Sequence, residues 1–148
     1  MGIETNKQKI LAWVEAVNRG DEQAILGMTT ADFLFKTMAR RPEWLGYNWN
    51  RQQFAAAPIA QSTLLQKPIH LDVVSLVAED NRVVLEMKTD AMLKNGKRYD
   101  NAYSLIFELN SEGKFTEARE YSCSALVVEC FGEFNPNNPQ ASKAAVGD

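Results

Sequence analysis

The chain has 148 residues, 45% apolar and 24% charged, with a formal net charge of −3. These values describe one globular domain able to bury roughly two-thirds of its unfolded surface. They argue against a nucleic-acid partner, since no basic run exceeds Arg40-Arg41, and against a membrane span, since no apolar run nears ~20 residues.

The N-terminus, MGIETNKQKI, lacks a signal-peptide core, so the expected location is the cytoplasm. Thr5 and Gln8 form a capping-box pattern, and Ile10, Val14 and Val17 recur at helical spacing, which predicts a first helix stopping at Gly20. Asp21 is the expected cap of a second, shorter helix carrying Ala24, Ile25 and Met28. Residues 31–38 read as a strand, and Pro42 opens a loop or single helical turn through Leu45. Asn50 with Gln53 marks a third helix running toward Ala57.

From there the periodicity changes. Residues 69–77, 82–93, 99–109 and 115 to about 129 are β-branched or aromatic runs, separated by turns at 79–81, 94–96 and 110–113. Helices followed by an antiparallel meander is an α+β order. The polar, Pro/Asn-rich stretch 135–148 reads as a mobile tail on a single domain of residues 1–134.

The most specific wording lies in the last hairpin. A Gly96-Lys97 turn leads into Arg98-Tyr99-Asp100-Asn101-Ala102-Tyr103, then Phe107-Glu108-Leu109-Asn110, a second Gly113-Lys114 turn, and Arg119-Glu120-Tyr121. This series resembles the SnoaL-like, ketosteroid-isomerase-like branch of the nuclear transport factor 2-like superfamily, over roughly residues 6–132. The resemblance implies a cone-shaped fold, with three N-terminal helices packed in the concave face of a strongly curved, mostly antiparallel sheet. It also implies a pocket open at one end, and homodimers.

Two readings compete for residues 83–93. By alternation alone, Val83, Leu85 and Met87 are buried while Glu86, Lys88 and Asp90 form a solvated face. Met87-Lys88-Thr89-Asp90 also resembles the R-T-D segment of the limonene-epoxide-hydrolase group, which implies that Lys88 and Asp90 face the cavity as a charged pair. A carboxyl and an ammonium opposing each other there suit proton transfer near neutral pH. Other positions depart from that group. Its first-strand Tyr and Asn become Phe35 and Thr37, and the aspartate of its last strand becomes Cys123, so epoxide hydrolysis is not expected. The first strand also lacks the carboxylate that ketosteroid isomerases place there.

On the strand through residues 99–109, Asn101, Tyr103, Leu105, Phe107 and Leu109 share the apolar face, so Tyr103 and Asn101 would offer a phenol and an amide to a carbonyl or enolate oxygen. By parity with the family's inward aspartate, Arg119, Tyr121 and Cys123 would face inward; a thiol in that place reads first as a small buried hydrophobe, and Tyr121 as core. His70 and Asp72 share a face and form either an oriented base or an exposed strand edge. Trp44, Tyr47, Trp49 and Phe54 lie where a pocket mouth is expected and either stack on a planar ligand, with Arg40 or Arg41 pairing an acidic group, or plug the opening as core.

Two cysteines and a single histidine, without a CxxC pair, give no metal-ligand pattern, and no cofactor is expected. The expected function is a cofactor-independent acid/base enzyme of isomerase, lyase, cyclase or hydrolase type, acting on a small apolar ring-containing metabolite. Asp90 is the expected base, Lys88 its tuner, and Tyr103 with Asn101 the oxygen contacts. Trp44, Tyr47, Trp49, His70, Tyr121 and Cys123 complete the expected binding set. The competing reading is a non-catalytic ligand-binding or dimerisation module of the same fold.

Overall fold

The computed structural model describes residues 2–136, 138 and 139. Helix α1 (Ile3–Arg19) begins two residues before Thr5. Gly2 is its N-cap, with no side-chain cap bond, so the Thr5–Gln8 pair falls within the first turns and does not start them. At its end Gly20 takes φ 67°, the left-handed conformation glycine tolerates, and its N–H returns to the carbonyls of Ala16 and Val17. Asp21 then caps α2 (Glu22–Gly27) by accepting from the Ala24 N–H at 3.0 Å.

Strand β1 (Thr29–Thr37) leads through a short 3-10 turn at Glu43–Leu45 to β2 (Asn48–Asn50) and α3 (Arg51–Ser62). The Asn50–Gln53 capping box forms in full, each side chain bonding the other's backbone N–H at 2.9 Å. The helix runs five residues past Ala57 and carries Pro58 inside it.

The remaining strands are β3 (Asp72–Glu79), β4 (Arg82–Lys88), β5 (Ala91–Met92), β6 (Arg98–Tyr99), β7 (Ala102–Leu109) and β8 (Phe115–Ser122). Six of them form one sheet in the order β2-β1-β8-β7-β4-β3, antiparallel except for the β1–β8 pair; β5 and β6 form a separate ribbon. The long runs read at 82–93 and 99–109 are each broken, between β4 and β5 and between β6 and β7. The run read to residue 129 ends at Ser122, and Ser124–Phe131 is a helix, α4. Its apolar spacing, Leu126-Val127 and Cys130-Phe131, is helical, and Cys130 is buried while Cys123 is exposed.

Helices α1 and α3 cover one face of the sheet. Ile10, Trp13, Val14 and Val17 meet Phe33, Leu85, Leu105 and Phe107 in a single core. Trp13 stacks on Phe54 at 5.7 Å and meets Phe107 edge-on at 5.2 Å, so three elements share one aromatic cluster. Asn18 adds a polar clamp: its amide donates to the Leu71 carbonyl at 3.1 Å and accepts from the Leu71 N–H at 2.7 Å. That clamp turns Ile69 and Leu71 inward and leaves His70 outside. Of the expected tail, Asn135 and Pro136 line a cavity mouth, and residues 137 and 140–148 lie outside the described residues. Among the described residues no helix is long and apolar enough to cross a membrane.

Candidate active site

Between helices and sheet lies a cavity in two connected parts. The inner part, about 70 Å3, is walled by Trp13, Phe35, Phe54, Met87 and Leu105. The outer part, about 420 Å3, opens past Gln53, Leu64, Val127, Phe131 and Phe134. Trp49, Ala57, Gln61, Ile69, Tyr103 and Glu120 line both parts and mark where they join. Among the described residues Glu120 is the only charged side chain in either lining.

Glu120 reaches this position because β8 bulges. Leu109 pairs with Phe115, but Glu108 pairs with Glu117, which leaves Thr116 as an extra residue on β8. Phe115 and Ala118, three apart, therefore both point inward and are fully buried. From Ala118 onward the inward positions are even, so Glu120 enters the cavity. Arg119 turns to the outer face, where it pairs with Glu108 at 3.0 Å and with Glu117. Inward orientation of Arg119, Tyr121 and Cys123 is thereby corrected: Tyr121 is exposed, and Cys123 is exposed at the N-cap of α4.

The Glu120 carboxyl has no hydrogen-bond or ion-pair partner among the described residues. Burial without compensation pushes it up to about 7. Its side chain lines the inner and outer parts of the cavity, whose walls are mostly apolar. Around it stand Tyr47, Tyr99 and Tyr103. Burial raises all three phenols above their ordinary range, and the Glu120 charge raises each further. They stay protonated and act as donors.

The phenols of Tyr99 and Tyr103 contact each other directly, and the Asn101 amide donates to the Tyr99 oxygen at 3.0 Å. Asn101 itself is only 1% exposed and fully engaged. Its Oδ1 accepts from the N–H groups of Ala102 (2.9 Å) and Cys123 (3.1 Å), and its Nδ2 also donates to the Cys123 carbonyl at 3.2 Å. Those backbone donors fix the amide's orientation, so it supports Tyr99 and offers nothing to a ligand.

The structure thus brings Tyr47, Trp49, Phe54 and Tyr103 together at the cavity and leaves the other expected residues out of its lining. Lys88, the last residue of β4, and Asp90, two residues beyond it, point to solvent, the alternation of the strand carrying on past its end. Asp90 is 61% exposed and held bidentately by Arg98 at 2.9 and 3.0 Å, which lowers its carboxyl below the usual range. His70 is exposed beside Asp72 at 3.4 Å. Trp44, in the 3-10 turn, lines neither part of the cavity, and Arg40 and Arg41 are exposed outside it. Replacing Asp90 by Asn is accordingly expected to leave turnover and ligand affinity unchanged, which parallel kinetics of the two proteins would check.

Trp49 stacks on Phe35 (5.2 Å) and meets Tyr47 at a tilt (5.1 Å), so one wall of the cavity beside Glu120 is aromatic. Among the described residues no cluster of His, Cys, Asp and Glu is arranged to hold a metal.

A curved sheet closed by helices, with a single carboxyl at the junction of the inner and outer parts of an aromatic cavity, fits the ketosteroid-isomerase-like, nuclear transport factor 2-like class of small-molecule pocket. The chain belongs to the SnoaL-like domain family, whose profile matches residues 10–118. Solved structures with this fold include BvnE pinacolase from Penicillium brevicompactum, 19% identical, with a TM-score of 0.69 over 96% of this chain and 98% of that one. Another is a ketosteroid isomerase-like protein from Catenulispora acidiphila in complex with trimethylamine, 15% identical, TM-score 0.69 over 86% and 97%. A third is a nuclear transport factor 2-like protein from Burkholderia xenovorans, 17% identical, TM-score 0.69 over 88% and 98%. Comparison with curated protein sequences finds no match.

Proposed function

We propose that the protein is a cofactor-independent acid–base enzyme acting on a small, largely apolar, ring-containing carbonyl compound. The observation that carries this reading is the uncompensated carboxyl of Glu120, enclosed among three phenols and poised near neutrality. In its ionised form Glu120 takes a proton from the carbon next to the carbonyl. The electron pair moves onto the carbonyl oxygen, which Tyr103 meets with its O–H. The neutral acid then returns a proton to the conjugated carbon, completing an isomerisation, or to a departing hydroxyl, completing a dehydration. The Asn101 amide donates to the Tyr99 oxygen, and the Tyr99 and Tyr103 hydroxyls share one hydrogen bond; in the ligand complex proposed here Tyr99 donates to Tyr103, which leaves the Tyr103 O–H for the carbonyl oxygen. The pinacolase among the structural relatives is compatible with this class of reaction. The outward face of the sheet remains free for the proposed homodimer.

The test is a panel of cyclic β,γ-unsaturated ketones assayed across pH. Turnover of a productive member is expected to rise through about pH 7 as Glu120 ionises, and Tyr103→Phe is expected to lower kcat roughly 10–100-fold. A flat pH profile, or full activity in Tyr103→Phe, would remove these roles.

A second reading rests on the lack of any cation in the lining. One carboxyl facing Tyr47, Trp49 and Tyr103 also suits a small ammonium ion held without chemistry, as the trimethylamine complex of the Catenulispora protein illustrates for that relative. Calorimetry with tetramethylammonium separates the two: micromolar binding that follows Glu120 ionisation, with no turnover of the ketone panel, favours the binding module.

A further inference from the structure

Glu120 has a second neighbour besides the main cavity. Beside it lies a chamber of about 40 Å3, bounded by Thr37, Leu45, Tyr47, Ser122, Ser124 and Val127 together with Glu120 itself. Its chemistry differs from that of the inner cavity: three aliphatic hydroxyls converge here, and none lines the other space. Thr37 is already engaged, accepting from the Tyr47 N–H at 2.9 Å and donating to backbone carbonyls of the same loop. Ser122 and Ser124 have no side-chain hydrogen-bond partner among the described residues. Ser122 follows Glu120 by two on β8, so both side chains leave the same face of the strand, and Ser122 reaches the protein surface.

We propose that this chamber is a built water site that exchanges the Glu120 proton with solvent while the main cavity is occupied. A water needs on the order of 10–15 Å3 and two to four polar partners. The chamber therefore suits two or three, with the Glu120 carboxyl and the hydroxyls of Ser122 and Ser124 as partners. Glu120, Tyr47 and Val127 line both this chamber and the outer cavity, whereas of the inner cavity's lining only Glu120 is shared, so these waters meet the carboxyl from outside the inner cavity. They relay protons and do not attack the ligand.

The relay role rests on the assignment of Glu120 as base; the water site does not. When Glu120 has taken a proton from the ligand carbon, its O–H donates to the chamber water. The proton leaves by way of Ser122, and the carboxylate is regenerated. A second proton entering from solvent by the same Ser122 and water route restores the neutral acid, which passes it to the product carbon, so the enzyme is not confined to returning the proton it removed. Ser122 and Ser124 are positioning residues in this scheme. The titratable groups facing Glu120 are the phenols of Tyr47, Tyr99 and Tyr103, and among the described residues lining the three spaces, on helices and strands alike, there is no other charged side chain.

The experiment pairs an atomic-resolution crystal structure of the protein with a carbon-13 NMR titration of Glu120. Ordered waters bridging the carboxyl to Ser122 or Ser124 are expected. The Ser122→Val/Ser124→Val protein, with the chamber filled, is expected to titrate about one unit higher, because the ionised carboxyl loses its water donors. Should that protein not fold, Ser124→Ala with its own crystal structure supplies the comparison, and loss of the Ser124-bound water with a smaller upward shift is expected. A dry chamber, or an unchanged midpoint once the chamber is filled, overturns the proposal. Activity surviving Glu120→Gln instead removes the base and leaves the waters in place, so the two failures are distinguishable.

Discussion

Replacing Glu120 by Gln is expected to lower turnover by about 100- to 10,000-fold while making the folded protein more stable above pH 7. Both effects have one cause. The amide fills the same space but neither takes a proton nor carries a charge that must be desolvated. In the wild-type protein the carboxyl rises from an ordinary 4.5 to about 7 on folding. Between those values the native state holds a proton the unfolded chain has released, so stability falls as pH rises through this window and is level above it. The interval corresponds to about 3–4 kcal/mol, less whatever the chamber waters return. Chemical denaturation at pH 5 and pH 8 reads this directly: the wild-type midpoint should drop and the Glu120→Gln midpoint should not. A variant that loses stability at pH 8 would mean that Glu120 has a compensating partner, and the site would need a different base.

The order of helices and strands was legible from periodicity and caps, because Asp21, Gly20 and the Asn50–Gln53 box each satisfy backbone groups locally. The face of each strand was legible only where alternation ran unbroken. On β4 the alternation of Val83, Leu85 and Met87 already put Lys88 and Asp90 outside, and a resemblance of four residues argued for the opposite face. The alternation prevailed because every inward position on that strand was filled by an apolar side chain. On β8 simple parity failed, since one extra residue at Thr116 exchanged the faces. A trace of that bulge lies in the sequence: Phe115 and Ala118 are apolar and three apart, with two polar residues between them. Reading a bulge there brings Glu120 inward and Cys123 out. Helix α4 was hidden by its β-branched Val127 and Val128, although the i, i+4 recurrence of Leu126-Cys130 and Val127-Phe131 marks it. The joining of Tyr99, Tyr103 and Asn101 into one chain could not be read from pattern. It depends on the break between β6 and β7, which the residue types alone did not disclose.

That break supplies the second large effect. Asn101→Ala is expected to destabilise the protein by about 2–4 kcal/mol, more than an ordinary buried polar-to-alanine change. One side chain holds three separate pieces of chain: its own strand start through Ala102, the β8–α4 junction through both backbone groups of Cys123, and the Tyr99 hydroxyl. Truncation leaves the Cys123 N–H and carbonyl without their partner in a place where Asn101 is 1% exposed, and it frees α4, whose Val127 and Phe131 wall the cavity mouth. Asn101→Asp separates the contributions, because it keeps the two accepted bonds, loses the two donated ones and buries a charge. Urea denaturation with a ligand-affinity measurement on each variant distinguishes this role from direct ligand contact. If the amide faced the ligand, Asn101→Ala would weaken binding at near-normal stability. If it locks the Tyr99–Tyr103 couple, stability falls first, and the binding that remains should still depend on Tyr103.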